Sequence, residues 1–282
     1  MHKQGTLLFL VAILCVVNVA VWTVLTFQKR SGLEVIFLDV GQGDAILIKG
    51  PHGAEVLIDG GPDRSILRVL PKELGPIDRT LDLVIATHPD KDHIAGLSEV
   101  LARYDVAATM DPDVENDTSF AQSFNARTLE ERALTIPARR GTRIHLGGGA
   151  YLDVLFPDRS VDTVESNTGS IVARAVYGET SFLLTGDAPV AVESWLAALD
   201  GNTLKSTVVK AGHHGSRTST SAEWLRVTDP EYVVVSAGKD NSYGHPHEEV
   251  VAAIVESGAQ MVGTLGEGPV TFISDGTTVQ LK

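Results

Sequence analysis

Cysteine is nearly absent from this chain. The single thiol, Cys15, lies in an apolar N-terminal run, so the rest of the 282 residues can form no disulfide and offers no thiolate ligand or nucleophile. Any metal in the body must be held by His, Asp, Glu or Asn. Basic residues are also scarce. Residues 1–30 contain Lys3, Lys29 and Arg30 and no acid, which leaves 20 basic against 36 acidic side chains in the remainder. A body this acidic repels polyanions at long range and argues against a broad nucleic-acid-binding face, though metal ions can supply positive charge locally. No Gly-x-Ser-x-Gly nucleophile elbow and no Walker-type or dinucleotide-binding loop is present. Gly41-Gln42-Gly43 is a poor phosphate loop, because a strand-like run follows it where a helix is needed.

What is present suits a packed globular body. Hydrophobic residues make up 43% and charged residues 21%, and 27 glycines point to many turns. Leu7–Phe27 carries no charge over 21 residues, enough at about 1.5 Å per residue to span a hydrocarbon core of about 30 Å. The expectation is two units: an uncleaved membrane anchor over 1–30 and one globular domain over 31–282. Lys3 favours a cytoplasmic N-terminus, whereas Lys29-Arg30 weighs the other way.

Within the body, runs rich in β-branched residues predict strands at Leu33–Leu38, Ala45–Ile48, Glu55–Ile58, Leu83–Ala86, Tyr151–Leu155, Ile171–Tyr177, Ser181–Leu184, Thr207–Lys210, Tyr232–Ser236 and Val270–Ser274. Helical patterns fall at Ser65–Leu70, His93–Tyr104, Ser119–Arg132, Val190–Leu199, Ala222–Arg226 and Glu248–Ser257. Paired strands followed by alternating strands and helices imply an α/β fold with a mixed, helix-covered sheet.

The chemistry concentrates just after these strands. Thr87-His88-Pro89-Asp90-Lys91-Asp92-His93 follows an apolar run and carries four potential ligands in six residues. Imidazole and carboxylate together suit zinc, manganese or iron. Alone, such a segment also fits a solvated Asp-rich loop capping a helix. Four further groups share its position: Ile58-Asp59-Gly60-Gly61, Thr185-Gly186-Asp187, Gly212-His213-His214-Gly215-Ser216 and Tyr243-Gly244-His245-Pro246-His247. The edge beyond the strands is where sites assemble in layered α/β proteins, so Asp59, His88, Asp187 and His213 are expected to converge in one cleft.

These segments resemble the metallo-β-lactamase superfamily. His88–His93 is similar to its His-x-His-x-Asp-His signature, with Asp90 in place of the second His. That replacement, together with Asp39-Val40-Gly41-Gln42-Gly43-Asp44-Ala45 and the groups above, resembles the ComEC-type competence hydrolase domain over roughly 33–280. The resemblance implies an αββα sandwich holding two divalent metal ions, zinc or manganese. His88 and Asp90 would form one site, Asp92 and His93 most of the other, with Asp187 bridging and Asp59 orienting ligands through hydrogen bonds. Asn167 stands where the superfamily has another His, and the harder oxygens of Asp90 and Asn167 tilt that site toward manganese or magnesium. The last ligand stays open among three histidines: His213 is preferred, then His245, with His214 or Ser216 near the substrate. Arg217 and Lys91 are expected phosphate contacts.

The activity this implies is metal-dependent hydrolysis of phosphodiesters in DNA or nucleotides, linked to DNA uptake. Metal ions lower the pKa of water and stabilise the attacking and leaving oxygens. Asp59 or Asp92 would orient the water, and His214 would protonate the leaving group. A single apolar span cannot make a DNA channel, so either a separate membrane channel is the partner or the hydrolase serves a different substrate, with the body expected outside the cytoplasmic membrane. The alternatives are hydrolysis of a small ester, lactone, lactam or thioester, and a non-catalytic binding module.

Overall fold

The structure, a computed structural model, describes residues 5, 9–19 and 32–282. Its strands form two sheets. The first follows the order β15-β14-β1-β2-β3-β4-β5-β6, where β1 is Leu33–Phe37, β2 Ile46–Lys49, β3 Glu55–Ile58, β4 Thr80–Ile85, β5 Asp105–Asp111, β6 Leu134–Pro137, β14 Val270–Ser274 and β15 Val279–Leu281. The second follows β13-β12-β11-β10-β9-β8-β7, with β7 Arg143–Gly147, β8 Ala150–Phe156, β9 Val172–Tyr177, β10 Thr180–Leu184, β11 Val208–Lys210, β12 Tyr232–Val235 and β13 Gln260–Gly263.

Alternation along the strands builds three layers of core. Leu33, Val35 and Phe37 of β1 face Phe182, Leu184 and Phe272 in the space between the sheets. Ile36 and Leu47 point the other way, packing with Ile66, Leu97 and Phe124 from helices α1 (Ile66–Leu74), α2 (Lys91–Leu101) and α3 (Ser119–Glu131). Beyond the second sheet, α4 (Val190–Asp200) and α5 (Ala222–Thr228) cover Leu183 and Val209, and α6 (Glu248–Ser257) covers Val233 and Val235. Because both faces of each sheet are covered, the central strands are apolar throughout, which is why they read as continuous β-branched runs. The result is the expected αββα sandwich.

Strand direction places the site. β3, β4 and β5 run parallel in one sheet, and β10, β11 and β12 run parallel in the other. Their C-terminal ends carry Asp59, His88, Asp187, His213 and His245.

One expectation is corrected. Among the described residues no helix is long and apolar enough to cross a membrane, which conflicts with the single-pass anchor at Leu7–Phe27 and with placing the body outside the membrane on that basis. The described part of that run is helical over 9–19. The rest of the run, 7–8 and 20–27, lies outside the described residues.

Candidate metal centre

Asp59 anchors the centre. It follows β3 in a left-handed conformation, φ 59°, which costs a non-glycine residue about 1–2 kcal/mol and is held in place by its bonds. Its two oxygens accept from the Thr87 backbone N–H at 2.8 Å, the Thr87 hydroxyl at 2.7 Å and His93 Nδ1–H at 2.8 Å. Because the Thr87 proton goes to Asp59, Thr87 Oγ1 is left to accept from His88 Nδ1–H at 3.0 Å. One carboxylate thus sets the tautomer of two imidazoles and turns both Nε2 atoms inward. His214 Nδ1–H donates to the Ser236 carbonyl at 3.0 Å, which turns its Nε2 inward as well.

The inward atoms meet around Asp187. Its Oδ2 lies 3.3 Å from His93 Nε2, 3.5 Å from His214 Nε2, 3.7 Å from His213 Nε2 and 3.9 Å from His88 Nε2. The Nε2 atoms of His88, His93 and His214 and Oδ1 of Asp187 are buried without a hydrogen-bond partner. Unpaired buried polar atoms are costly, and three imidazoles and a carboxylate turned to one point match the donor set of a divalent cation. Among the described residues four overlapping groups have metal-binding spacing here: His88–His93–Asp187, Asp92–His93–His214, Asp44–Asp187–His214 and Asp44–Asp59–His93.

The charges respond accordingly. Burial lowers the His214 imidazole, but the Asp187 and Asp44 carboxylates outweigh it and push it up to about 9. His93 is likewise driven well above its usual range, burial being overcome by Asp187 and Asp59. Burial would raise Asp187, yet the surrounding His214 and His93 hold it well below the usual carboxylate range. His88 is pushed down to about 4, first by burial and then by His93.

The other expected residues divide. Lys91, Asp92 and His93 form the first turn of α2 rather than the tail of a loop, with Asp90 at its N-cap. Asp92 Oδ2 lies 3.3 Å from His214 Nε2. Asp90 is 3.7 Å from His88 Nε2 with 39% of its side chain exposed, and burial of the remainder raises its pKa. Asn167 lies in a short turn, its Oδ1 buried and unpartnered. His213 and His214 both adopt left-handed backbone, φ 48° and 57°. This tight turn reverses the expected ranking. His214, expected beside the substrate, has the metal-binding spacing, whereas His213, preferred as ligand, stands at the rim with 28% of its side chain exposed. His245 lies one row farther out, its ring 5.7 Å from His213, and burial and its histidine neighbours push it down to about 4.

Two expected phosphate contacts are turned to other partners. Lys91 Nζ sits over the Phe120 ring at 5.3 Å, and Arg217 pairs with Glu249 at 3.7 Å. Ser216 is buried, its hydroxyl accepting from Thr218 at 3.1 Å. Two residues with no assigned role at the sequence level are part of the centre. Asp44 Oδ1 is 3.4 Å from His214 Nδ1, and Lys210 Nζ donates to the Gly186 and Ala211 carbonyls, both at 3.0 Å. The available signal was a lysine ending an apolar strand directly before the histidine pair.

A two-sheet α/β sandwich with a buried His–Asp cluster at the open edge defines a metal-binding hydrolase fold. The chain belongs to the metallo-beta-lactamase superfamily, whose family model matches residues 38–239. It is 28% identical to ComE operon protein 3 of Bacillus subtilis over 85% of this chain and 33% of that protein. It is also 28% identical to Competence protein ComA of Neisseria gonorrhoeae, over 83% of this chain and 31% of that one. The chain thus spans about a third of the length of the curated relatives it matches. Among solved structures, the metallo-beta-lactamase fold protein YhfI of Bacillus subtilis superposes with a TM-score of 0.59 at 10% identity, covering 86% of this chain and all of that one.

Proposed function

We propose that this centre hydrolyses phosphodiesters, with DNA or nucleotides as the substrate class. The observation that carries the reading is Asp187 Oδ2, set within 3.9 Å of four imidazole nitrogens, three of them deeply buried. His88, Asp90 and Asn167 would hold one divalent ion and Asp92, His93 and His214 a second, with Asp187 between them. The ions would supply Lewis acidity toward water and the phosphoryl oxygens. Asp59 keeps His88 and His93 in the tautomer that presents Nε2. Asp92, a third exposed on its side chain, faces the opening and can orient water. His213 at the rim takes the place expected for His214 as proton donor to the leaving oxygen.

The oxygen-rich side at Asp90 and Asn167 favours a hard cation and an anionic substrate over lactam chemistry. The competence-type relatives support DNA as the polymer and a link to DNA uptake. The test is a substrate panel with metal-stripped protein reloaded separately with manganese and zinc, using bis(p-nitrophenyl) phosphate, single-stranded DNA and nitrocefin. Manganese-supported cleavage of the two phosphodiesters is expected. Nitrocefin turnover without either would assign the site to small-molecule hydrolysis, the alternative that the acidic body favours.

A further inference from the structure

The segment after β12 carries a ring pair that the proposed chemistry does not use. Tyr243 lies over His245 with ring centroids 5.6 Å apart and planes 24° from parallel. His245 leads inward to His213, 5.7 Å away, and His213 Nε2 is 3.7 Å from Asp187. Tyr243 is therefore two rings out from the metal cluster, and 63% of it is exposed. With one face on His245, that exposure leaves the opposite face open.

The loop is built to hold this position. Asn241 uses its full side-chain capacity within it. Nδ2 donates to the Gly238 and His245 carbonyls at 2.8 and 2.7 Å, and Oδ1 accepts from the Tyr243 and His245 N–H groups at 3.2 and 2.9 Å. Gly238 N–H is tied to Gln42 at 3.1 Å, across the cleft in the other sheet's loops. Behind the stack, His247 N–H donates to the Gly215 carbonyl at 2.9 Å, and Pro246 packs so close that a Cβ on Gly215 would lie 2.7 Å from it. An aromatic ring fixed in solvent beside a reaction centre is preorganised for a flat ligand.

Charge makes stacking the more necessary. The body is acidic, Lys210 is buried against Asp44, and the two expected phosphate contacts, Lys91 and Arg217, are engaged by Phe120 and Glu249. Phosphate contacts from these side chains are then weak, whereas stacking on an aromatic face strengthens binding by about tenfold per base, whatever the base.

We propose that Tyr243, backed by His245, is the platform on which a nucleobase adjoining the scissile phosphodiester stacks. This assignment rests on the phosphodiesterase reading and makes the substrate a base-bearing strand or nucleotide rather than a simple diester. It is tested with the full chain and two probes, a short oligothymidylate and the same backbone carrying abasic tetrahydrofuran residues. Binding is read by fluorescence anisotropy in a chelator, so that no cleavage intervenes. The wild type should prefer the base-bearing strand by about tenfold, with a shallow dependence on salt. Tyr243→Phe should keep that preference, while Tyr243→Ala and the equally bulky Tyr243→Leu should bring the two strands to similar affinity. Equal binding of both strands by the wild type, or undiminished preference in both non-aromatic variants, would overturn the platform. Turnover of bis(p-nitrophenyl) phosphate by the metal-loaded wild type separates the two readings. Turnover without base preference removes only the platform, whereas no turnover of any diester removes the phosphodiesterase reading beneath it.

Discussion

Lys210 Nζ lies 2.7 Å from Asp44 Oδ2, with both side chains closed off from solvent. Burial would raise Asp44, but the Lys210 ammonium and His214 keep it below the usual carboxylate range. The pair joins the β1–β2 loop of one sheet to β11 of the other, directly behind His214. Lys210 also holds the carbonyl of Gly186, next to Asp187.

Lys210→Met is expected to cost about 3–5 kcal/mol of folding stability by leaving the buried Asp44 carboxylate without its ammonium partner. Urea unfolding of the metal-free protein measures this, and adding Asp44→Asn should recover part of the loss. Strictly additive losses in the double variant would show that the two side chains do not act as a pair.

The imidazoles make the metal-free protein sensitive to alkali. His214 is raised to about 9 and His93 is raised well above its usual range. A raised pKa gives stability that is complete below the unfolded value of about 6.5 and fades as pH climbs through the folded value. The urea midpoint of metal-free protein should therefore fall as pH rises toward and past 9. Metal must displace the same protons, so calorimetry near neutral pH in buffers of different ionisation enthalpy should show proton release on loading. Uptake without proton release would contradict these assignments.

Asp59 acts through the histidines it orients. Asp59→Asn turns one carboxylate oxygen into an NH2 group: if the amide oxygen stays with His93 Nδ1–H and the Thr87 hydroxyl, the NH2 is set against the Thr87 backbone N–H, two donors facing each other. Metal affinity, read by competition with a chromophoric chelator, should fall about 10–100-fold. Unchanged affinity would mean that neighbouring packing alone holds the rings.

Close backbone contact sets the depth of α2. A Cβ on Gly96 would fall on the Gly60 carbonyl oxygen, which follows Asp59. Gly96→Ala should therefore push α2, with Asp92 and His93, away from the Asp59 loop. The expected loss is about 1–3 kcal/mol in stability, with weaker metal binding in the same titration. Wild-type values for both would show that the helix yields without cost.

Much of the architecture was legible because it is local. Central strands such as β1, β9 and β10, buried on both faces, announce themselves as β-branched runs bounded by glycine. Strands β5, β6, β7, β13 and β15 escaped notice for the converse reason. β6, β7, β13 and β15 are edge strands and β5 lies beside one, and their exposed positions carry residues such as Arg143, His145 and Gln260, so no apolar pattern marks them.

Residue order by itself determined that His88, Asp90, Asp92, His93, Asp59 and Asp187 would follow strands and so share one edge, because strand ends and the polar residues after them are short-range features. Which histidine of the 213–214 pair turns inward was decided by tertiary structure. Both residues are held left-handed, and the Ser236 carbonyl at the end of β12 catches one ring while Thr218 catches the other. The partnership of Lys210 with Asp44 was likewise invisible along the chain, since the two meet only when two separate sheets close. Pairing energy of that kind depends on distance and burial, and neither is a property of sequence spacing.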